Sequence, residues 1–137
     1  MGRVALMKLL LDTHIWLWSR LQSKRLSRRV SSALGKSTNE FWLSPVSTWE
    51  ILSLCRKGRL ELEPDPVRWI EAALTKMPMR QAHVTQEVAL ATRGISLAHN
   101  DPVDFLLAAT AKVYDLTLVT ADEKLIAGSG FAILANR

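Results

Sequence analysis

Short apolar runs in this chain stop on carboxylates, and that pattern narrows the folds open to it. Leu9-Leu10-Leu11 ends at Asp12, and Leu116-Thr117-Leu118-Val119-Thr120 runs into Asp122. Phe41-Trp42-Leu43 leads through a turn into a helix whose first turn is expected to hold Glu50, and Asp101 and Asp104 open the helix before the strand at Leu116. A short apolar run closed by a polar residue reads as a buried strand. In an α/β protein with a parallel sheet, ligands lie outside the carboxyl ends of the strands, so acids from distant segments converge there. Converging carboxylates repel one another, and hard divalent cations relieve the repulsion.

Strand and helix patterns alternate along the chain. Val4 to Leu11 reads as a strand, followed by a helix from Thr13 to about Leu21. Ser27 can cap a second helix with Val30, Ala33 and Leu34 inward and Gly35 as its stop. Phe41 to Ser44 is a strand closed by Pro45. Ser47-Thr48-Trp49-Glu50 has capping-box spacing, and Ile51, Leu52, Leu54 and Cys55 continue that helix to Gly58. Pro64 and Pro66 mark a turn before a helix from about Val67 to Lys76. Met79 to Val84 suggests a short strand and Gln86 to Arg93 a short helix ended by Gly94. Asp101-Pro102 is a helix start, with Val103, Leu106, Leu107 and Val113 on its inner face. Leu116 to Thr120 and Phe131 to Leu134 complete the strands. The order implies βαβ units with strand carboxyl ends gathered on one edge.

With 137 residues and 48% of them hydrophobic, the chain suits one domain spanning residues 1–137, with no internal repeat or Pro/Gly/Ser linker. The apolar run at Leu9 stops too early for a membrane span or signal-peptide core, so a soluble cytoplasmic protein is expected. The single cysteine, Cys55, rules out an internal disulfide and a cysteine zinc cage. Net charge is +5, yet setting aside Asp12, Glu50, Asp101, Asp104 and Asp122 leaves eight acids against eighteen Lys and Arg, a net +10. A basic body around an acidic pocket suits a polyanion drawn to a metal site. Arg20, Lys24, Arg25, Arg28 and Arg29 form one basic cluster; Arg56, Lys57 and Arg59 form another.

Each acid also has an ordinary structural role open to it. Glu50 can close a capping box with Ser47, Asp101 can cap its helix, Asp104 suits the helix dipole, and Asp122 can cap a turn after Thr120. Asp12 is hardest to explain that way, because a carboxylate at the end of a buried strand needs partners or a cation. The ordinary roles do not predict that all five converge. Magnesium, held by a few carboxylates and substrate phosphate, fits such a set. Two such ions about 3.5 to 4 Å apart would activate a water and steady the leaving oxygen of a phosphodiester. His14 and His99 flank acids and can touch phosphate or a carboxylate, but lack the ligand set of a histidine metal site. Trp16 and Trp18 fall on different faces of one helix, so at least one is expected to be exposed; a base-stacking platform is one reading, and core or interface packing is the favoured one for most of the tryptophans.

The segments Leu10-Leu11-Asp12-Thr13-His14, Ser44-Pro45-Val46-Ser47-Thr48-Trp49-Glu50-Ile51, Gly58-Arg59-Leu60, His99-Asn100-Asp101-Pro102-Val103-Asp104 and Leu118-Val119-Thr120-Ala121-Asp122 look like successive signatures of a PIN-domain protein. They most closely resemble the VapC-type toxin branch, in the family's order, from about Lys8 to Leu134.

The resemblance implies a PIN-like three-layer α/β/α sandwich with a central, mainly parallel sheet and helices on both faces. It also implies a Mg2+-dependent (or Mn2+-dependent) endoribonuclease, the toxin of a toxin–antitoxin pair. By this resemblance Asp12, Glu50, Asp104 and Asp122 are the catalytic, metal-binding acids and Asp101 is a further metal-site acid. Thr13, Ser47 and Thr120 match small hydroxyl positions that support the carboxylates or metal-bound water. The expected partners are an RNA substrate, a small antitoxin lying over the site, and a second copy of the chain in a homodimer. The apolar faces around Leu17, Leu21, Leu26, Ile51 and Leu54 are candidates for a groove that takes an amphipathic segment. One departure is Phe105, where many relatives carry an arginine after the acid at Asp104. Two other readings keep the same fold: a housekeeping RNA-processing nuclease, and a non-catalytic RNA- or protein-binding module.

Overall fold

The computed structural model describes residues 6–137. Five strands form one sheet: β1 (Lys8–Leu11), β2 (Glu40–Leu43), β3 (Arg80–Gln81), β4 (Thr117–Thr120) and β5 (Ala132–Ala135). Their order is β3-β2-β1-β4-β5, with every neighbouring pair parallel. The connecting helices are α1 (Thr13–Leu21), α2 (Arg28–Leu34), α3 (Pro45–Arg56), α4 (Pro66–Lys76), α5 (Gln86–Ala91), α6 (Pro102–Val113) and α7 (Glu123–Ile126).

Strand alternation splits the core in two. Leu9, Leu11 and Val119 point to one face, where they pack with Ile15, Trp16 and Leu17 of α1, Val30 of α2, Ile51 of α3 and Ile70 of α4. Leu10 and Leu118 point to the other, against Val88 of α5, Leu107 and Ala111 of α6 and Leu125 of α7. Leu9, Leu10, Leu11, Leu118 and Val119 are all fully buried, as strands covered on both faces require. The result is the expected three-layer α/β/α sandwich, with its central strands β1 and β4 delivering Asp12 and Asp122 to one edge.

Several boundaries differ from those expected. Val4 and Ala5 lie outside the described residues, and β1 pairing starts at Lys8. The strand expected over Met79 to Val84 contracts to Arg80–Gln81, although Ala82 N–H still donates to Leu43 O at 2.9 Å. The last strand is shifted by one residue, and the helix from Gln86 tightens into a 3-10 turn at Thr92–Gly94.

The start of α3 is the instructive correction. Ser44, not Ser47, is its N-cap: Ser44 Oγ accepts from Val46 N–H at 3.1 Å, and Pro45 occupies the first turn, where its missing N–H costs nothing. Ser47 N–H donates to Ser44 O at 3.0 Å. Glu50 therefore sits in the second turn, too far along to close a capping box. Beyond the end of α3 the chain turns at Gly58 with φ 71°, a left-handed conformation that favours glycine.

Candidate active site

Asp12 is simultaneously the residue after β1 and the N-cap of α1. Its Oδ1 accepts from Thr13 N–H at 2.7 Å and its Oδ2 from Thr120 Oγ1 at 2.7 Å. Thr120, the last residue of β4, also accepts from Asp122 N–H at 3.0 Å, so one hydroxyl links the acids after β1 and β4. Asp122 caps α7 by accepting from Lys124 N–H at 2.9 Å. Asp101 caps α6 through Val103 N–H at 3.0 Å, which brings Asp104 into the first turn of the same helix. Asp104 Oδ2 lies 2.7 Å from His99 Nε2. The ordinary cap roles weighed for Asp101 and Asp122 are thus real, and each leaves a second carboxylate oxygen free of that cap.

All five acids line one cleft of about 520 Å³, together with His14, Trp18, Arg25 and Ala121. Asp12 and Asp104 are each only 7% exposed. Burial pushes the Asp12 carboxyl from the ordinary 3.8 up to about 6, with Thr120 and Thr13 pulling it down and the charges of Glu50 and Asp104 pushing it up. Burial likewise raises Asp104; the His99 hydrogen bond opposes this, and Asp101 and Asp122 add to it. Among the described residues, no lysine or arginine forms an ion pair with any of the five. Two buried acids in an acidic cleft, neither paired with a lysine or arginine, match the donor set of a hard divalent cation.

Two of the expected metal-site acids join a histidine in one compact candidate ligand group. His99, Asp101 and Asp104 offer ligand atoms that all lie within 4.8 Å of one another, while Asp12, Glu50 and Asp122 surround the same cleft outside that triad. The hydroxyl positions also divide. Thr120 holds a carboxylate, as the resemblance implies, whereas the buried Thr13 Oγ1 and Ser47 Oγ have no hydrogen-bond partner. The apolar groove expected around Leu17 and Ile51 is absent, because both side chains are core; Leu21 alone of that set is largely exposed, at 48%.

A sequence model described as PIN domain matches residues 9–128. The chain belongs to the PIN domain family. A curated relative of this PIN domain is Ribonuclease VapC22 of Mycobacterium tuberculosis, 29% identical over 117 residues, which cover 85% of this chain and 88% of the relative. Among solved structures, VapBC2 from Rickettsia felis, bound to a promoter DNA fragment, aligns with a TM-score of 0.68 at 13% identity, covering 94% of this chain and 98% of that one. A toxin–antitoxin complex from Klebsiella pneumoniae aligns at 0.64 and 17% identity, with coverage of 94% and 98%. At those identities the structures establish the fold alone.

Sequence reasoning missed one residue that shapes the cleft. Asn136 Oδ1 accepts from Ser27 N–H at 2.6 Å, its Nδ2 donates to Arg25 O at 3.0 Å, and its own N–H donates to Thr120 O at 2.8 Å. It clasps the turn carrying Arg25 to the end of β4. An asparagine after a short strand carries no local signal of such a reach.

Proposed function

We propose that this PIN domain is a Mg2+-dependent or Mn2+-dependent endoribonuclease and the toxin of a VapBC-type toxin–antitoxin pair, acting in the cytoplasm as a single domain over residues 1–137. The observation that carries the reading is the cleft of five acids, none of them in an ion pair with a lysine or arginine among the described residues. The ribonuclease name of the curated relative and the toxin–antitoxin composition of the structural neighbours support the substrate class and the partner.

Asp12, Glu50, Asp104 and Asp122 would hold the cation, with Asp101 as a further ligand beside Asp104. When bound, it supplies a Lewis acid that polarises a phosphodiester and lowers the pKa of water. Thr120 fixes the Asp12 carboxylate by donating to Oδ2, and His99 fixes Asp104 in the same way. The first turn of α6, where Asp104 sits, adds partial positive charge that eases the crowding of anions. Arg20, Lys24, Arg25, Arg28 and Arg29 are all exposed and supply the field that draws RNA phosphates to an otherwise acidic pocket.

For the partners we propose a small antitoxin and a second copy of this chain. Trp49, 55% exposed, lines an apolar groove of about 380 Å³ with Pro45, Val46, Pro102, Val103 and Leu106, a surface suited to protein contact. No helix among the described residues is long and apolar enough to cross a membrane.

The deciding experiment incubates purified protein with mixed RNAs and Mn2+, with EDTA and Asp12→Asn as controls. Internal cleavage abolished by both controls supports the nuclease. Intact RNA under all conditions favours the binding-module reading. Growth arrest on expression, relieved by Asp12→Asn or by a small protein encoded alongside, separates a toxin from a housekeeping nuclease.

A further inference from the structure

One wall of the acidic cleft is aromatic and cationic. His14 and Trp18 stand four residues apart on α1, one turn above the other, with ring centroids 5.9 Å apart and planes tilted by 54°. The Arg25 guanidinium carbon lies over the Trp18 ring, 4.1 Å from its centroid. His14 and Arg25 are exposed and Trp18 is half-buried, and all three line the cleft that holds the five acids. Arg25 has no carboxylate at ion-pair distance among the described residues; its side chain reaches only Gln22 Oε1, at 3.4 Å.

The wall is held in place. Asn136 anchors the backbone at Arg25 and Ser27, and Arg25 N–H donates to Gln22 O at 2.9 Å. Trp18 packs its inner side on the core that contains Trp16 and Leu17. An aromatic face topped by an unpaired guanidinium, next to acids that require a cation, matches a ligand that is planar and anionic together. A nucleotide has that chemistry: its base stacks on indole or guanidinium planes, and its phosphate meets the positive charge.

We infer that His14, Trp18 and Arg25 form a nucleotide-binding wall that grips one unpaired nucleotide of single-stranded RNA beside the reacting phosphate. This rests on the nuclease reading and adds to it the feature that selects unstacked RNA. Trp18 and Arg25 are specificity-determining residues; the acids perform the chemistry.

The test compares cleavage with Mn2+ of a short single-stranded oligoribonucleotide and of copies in which one nucleotide at a time is abasic. For the wild type, one abasic position near the cut lowers kcat/KM about tenfold, equivalent to about 1.4 kcal/mol of stacking. Trp18→Leu produces about the same loss on intact RNA, mostly in KM, and makes that abasic position silent. Trp18→Phe keeps most of the activity. Arg25→Lys keeps the charge but loses the plane, so sensitivity to the abasic position falls. Thermal melts accompany every variant, and where Trp18→Leu is poorly folded, Trp18→Phe and Arg25→Lys are the deciding variants.

Normal kinetics for Trp18→Leu and Arg25→Lys, or equal losses at every abasic position, overturn the wall and leave the nuclease reading standing. Unchanged RNA kinetics with weakened capture of a protein partner overturn it as well. Should the wild type cut no RNA, the nuclease reading falls, and fluorescence polarisation with the same oligonucleotides decides the wall separately. Affinity that depends on both Trp18 and the base upholds it; affinity that depends on neither sinks it.

Discussion

Replacing Asp12 with asparagine should make the metal-free protein more stable while abolishing its proposed activity. The substituted amide keeps the shape and the N-cap to Thr13, because asparagine and aspartate cap helices equally well. What disappears is a buried negative charge. In the folded protein the Asp12 carboxyl stands at about 6 rather than 3.8. A folded pKa above the unfolded one means that the native state holds a proton the unfolded chain has already lost, so stability falls as pH rises from 3.8 to about 6. Above that window the full cost of about 3 kcal/mol is present; below it, none. Part of the gain is returned when Thr120 exchanges a charged acceptor for an amide, leaving a net of about 1 to 3 kcal/mol. For a chain of this size that is about 3 to 10 °C in Tm.

The assay is thermal melting of both proteins in EDTA at a series of pH values. Asp12→Asn should melt higher near neutrality, and the gap should close as the pH approaches about 4. Excess Mn2+ should then raise the wild type through preferential binding to the folded state and leave the variant nearly unmoved. Equal melting of the two proteins at about pH 7.5, or a gap that stays constant down to acid, would refute the burial reasoning.

Asp104→Asn and Glu50→Gln should each lower metal-dependent RNA cleavage by about a hundredfold or more while far-UV circular dichroism stays native, since both remove a charge from the cleft rather than a core contact. His99→Ala removes the hydrogen bond that holds the Asp104 carboxyl down, so its pKa should rise further and the acidic limb of the pH–rate profile should move to higher pH. Ser44→Ala should cost about 1 kcal/mol through loss of the α3 cap, whereas Ser47→Ala should cost almost none in urea denaturation, because Ser47 Oγ has no partner to lose. Raising salt from about 50 to 200 mM should weaken RNA binding measured by fluorescence polarisation several-fold if the exposed arginines carry the phosphates.

The sheet and the gathering of acids were legible in the sequence because they rest on local pattern. Leu9 to Leu11 and Leu116 to Thr120 are apolar runs that only a doubly covered strand can bury, and the residue after such a strand has one edge to occupy. The start of α3 was less legible, because Ser44-Pro45 and Ser47-Thr48-Trp49-Glu50 both carry cap signals and local spacing does not choose between them. Proline in the first turn decides the matter once the chain must leave β2 at Leu43. The link between His99 and Asp104 was half-visible: the histidine stands near acids in the sequence, but its ring direction depends on the loop before α6. The Asn136 clasp, spanning 109 residues to Ser27, was invisible for the same reason at larger scale. The expected groove at Leu17 and Ile51 failed because apolar periodicity marks a buried face without saying whether the chain itself or a partner covers it.

The hydrogen bond between Thr120 and Asp12 joins residues 108 apart, and it forms only when β4 slides in beside β1. Without that pairing, Asp12 has no Thr120 to orient it and Asp122 has no place at the edge. A chain in which β4 has not docked therefore has no means of orienting the Asp12 carboxylate, so the acidic cleft is a property of the assembled sheet and of no single segment.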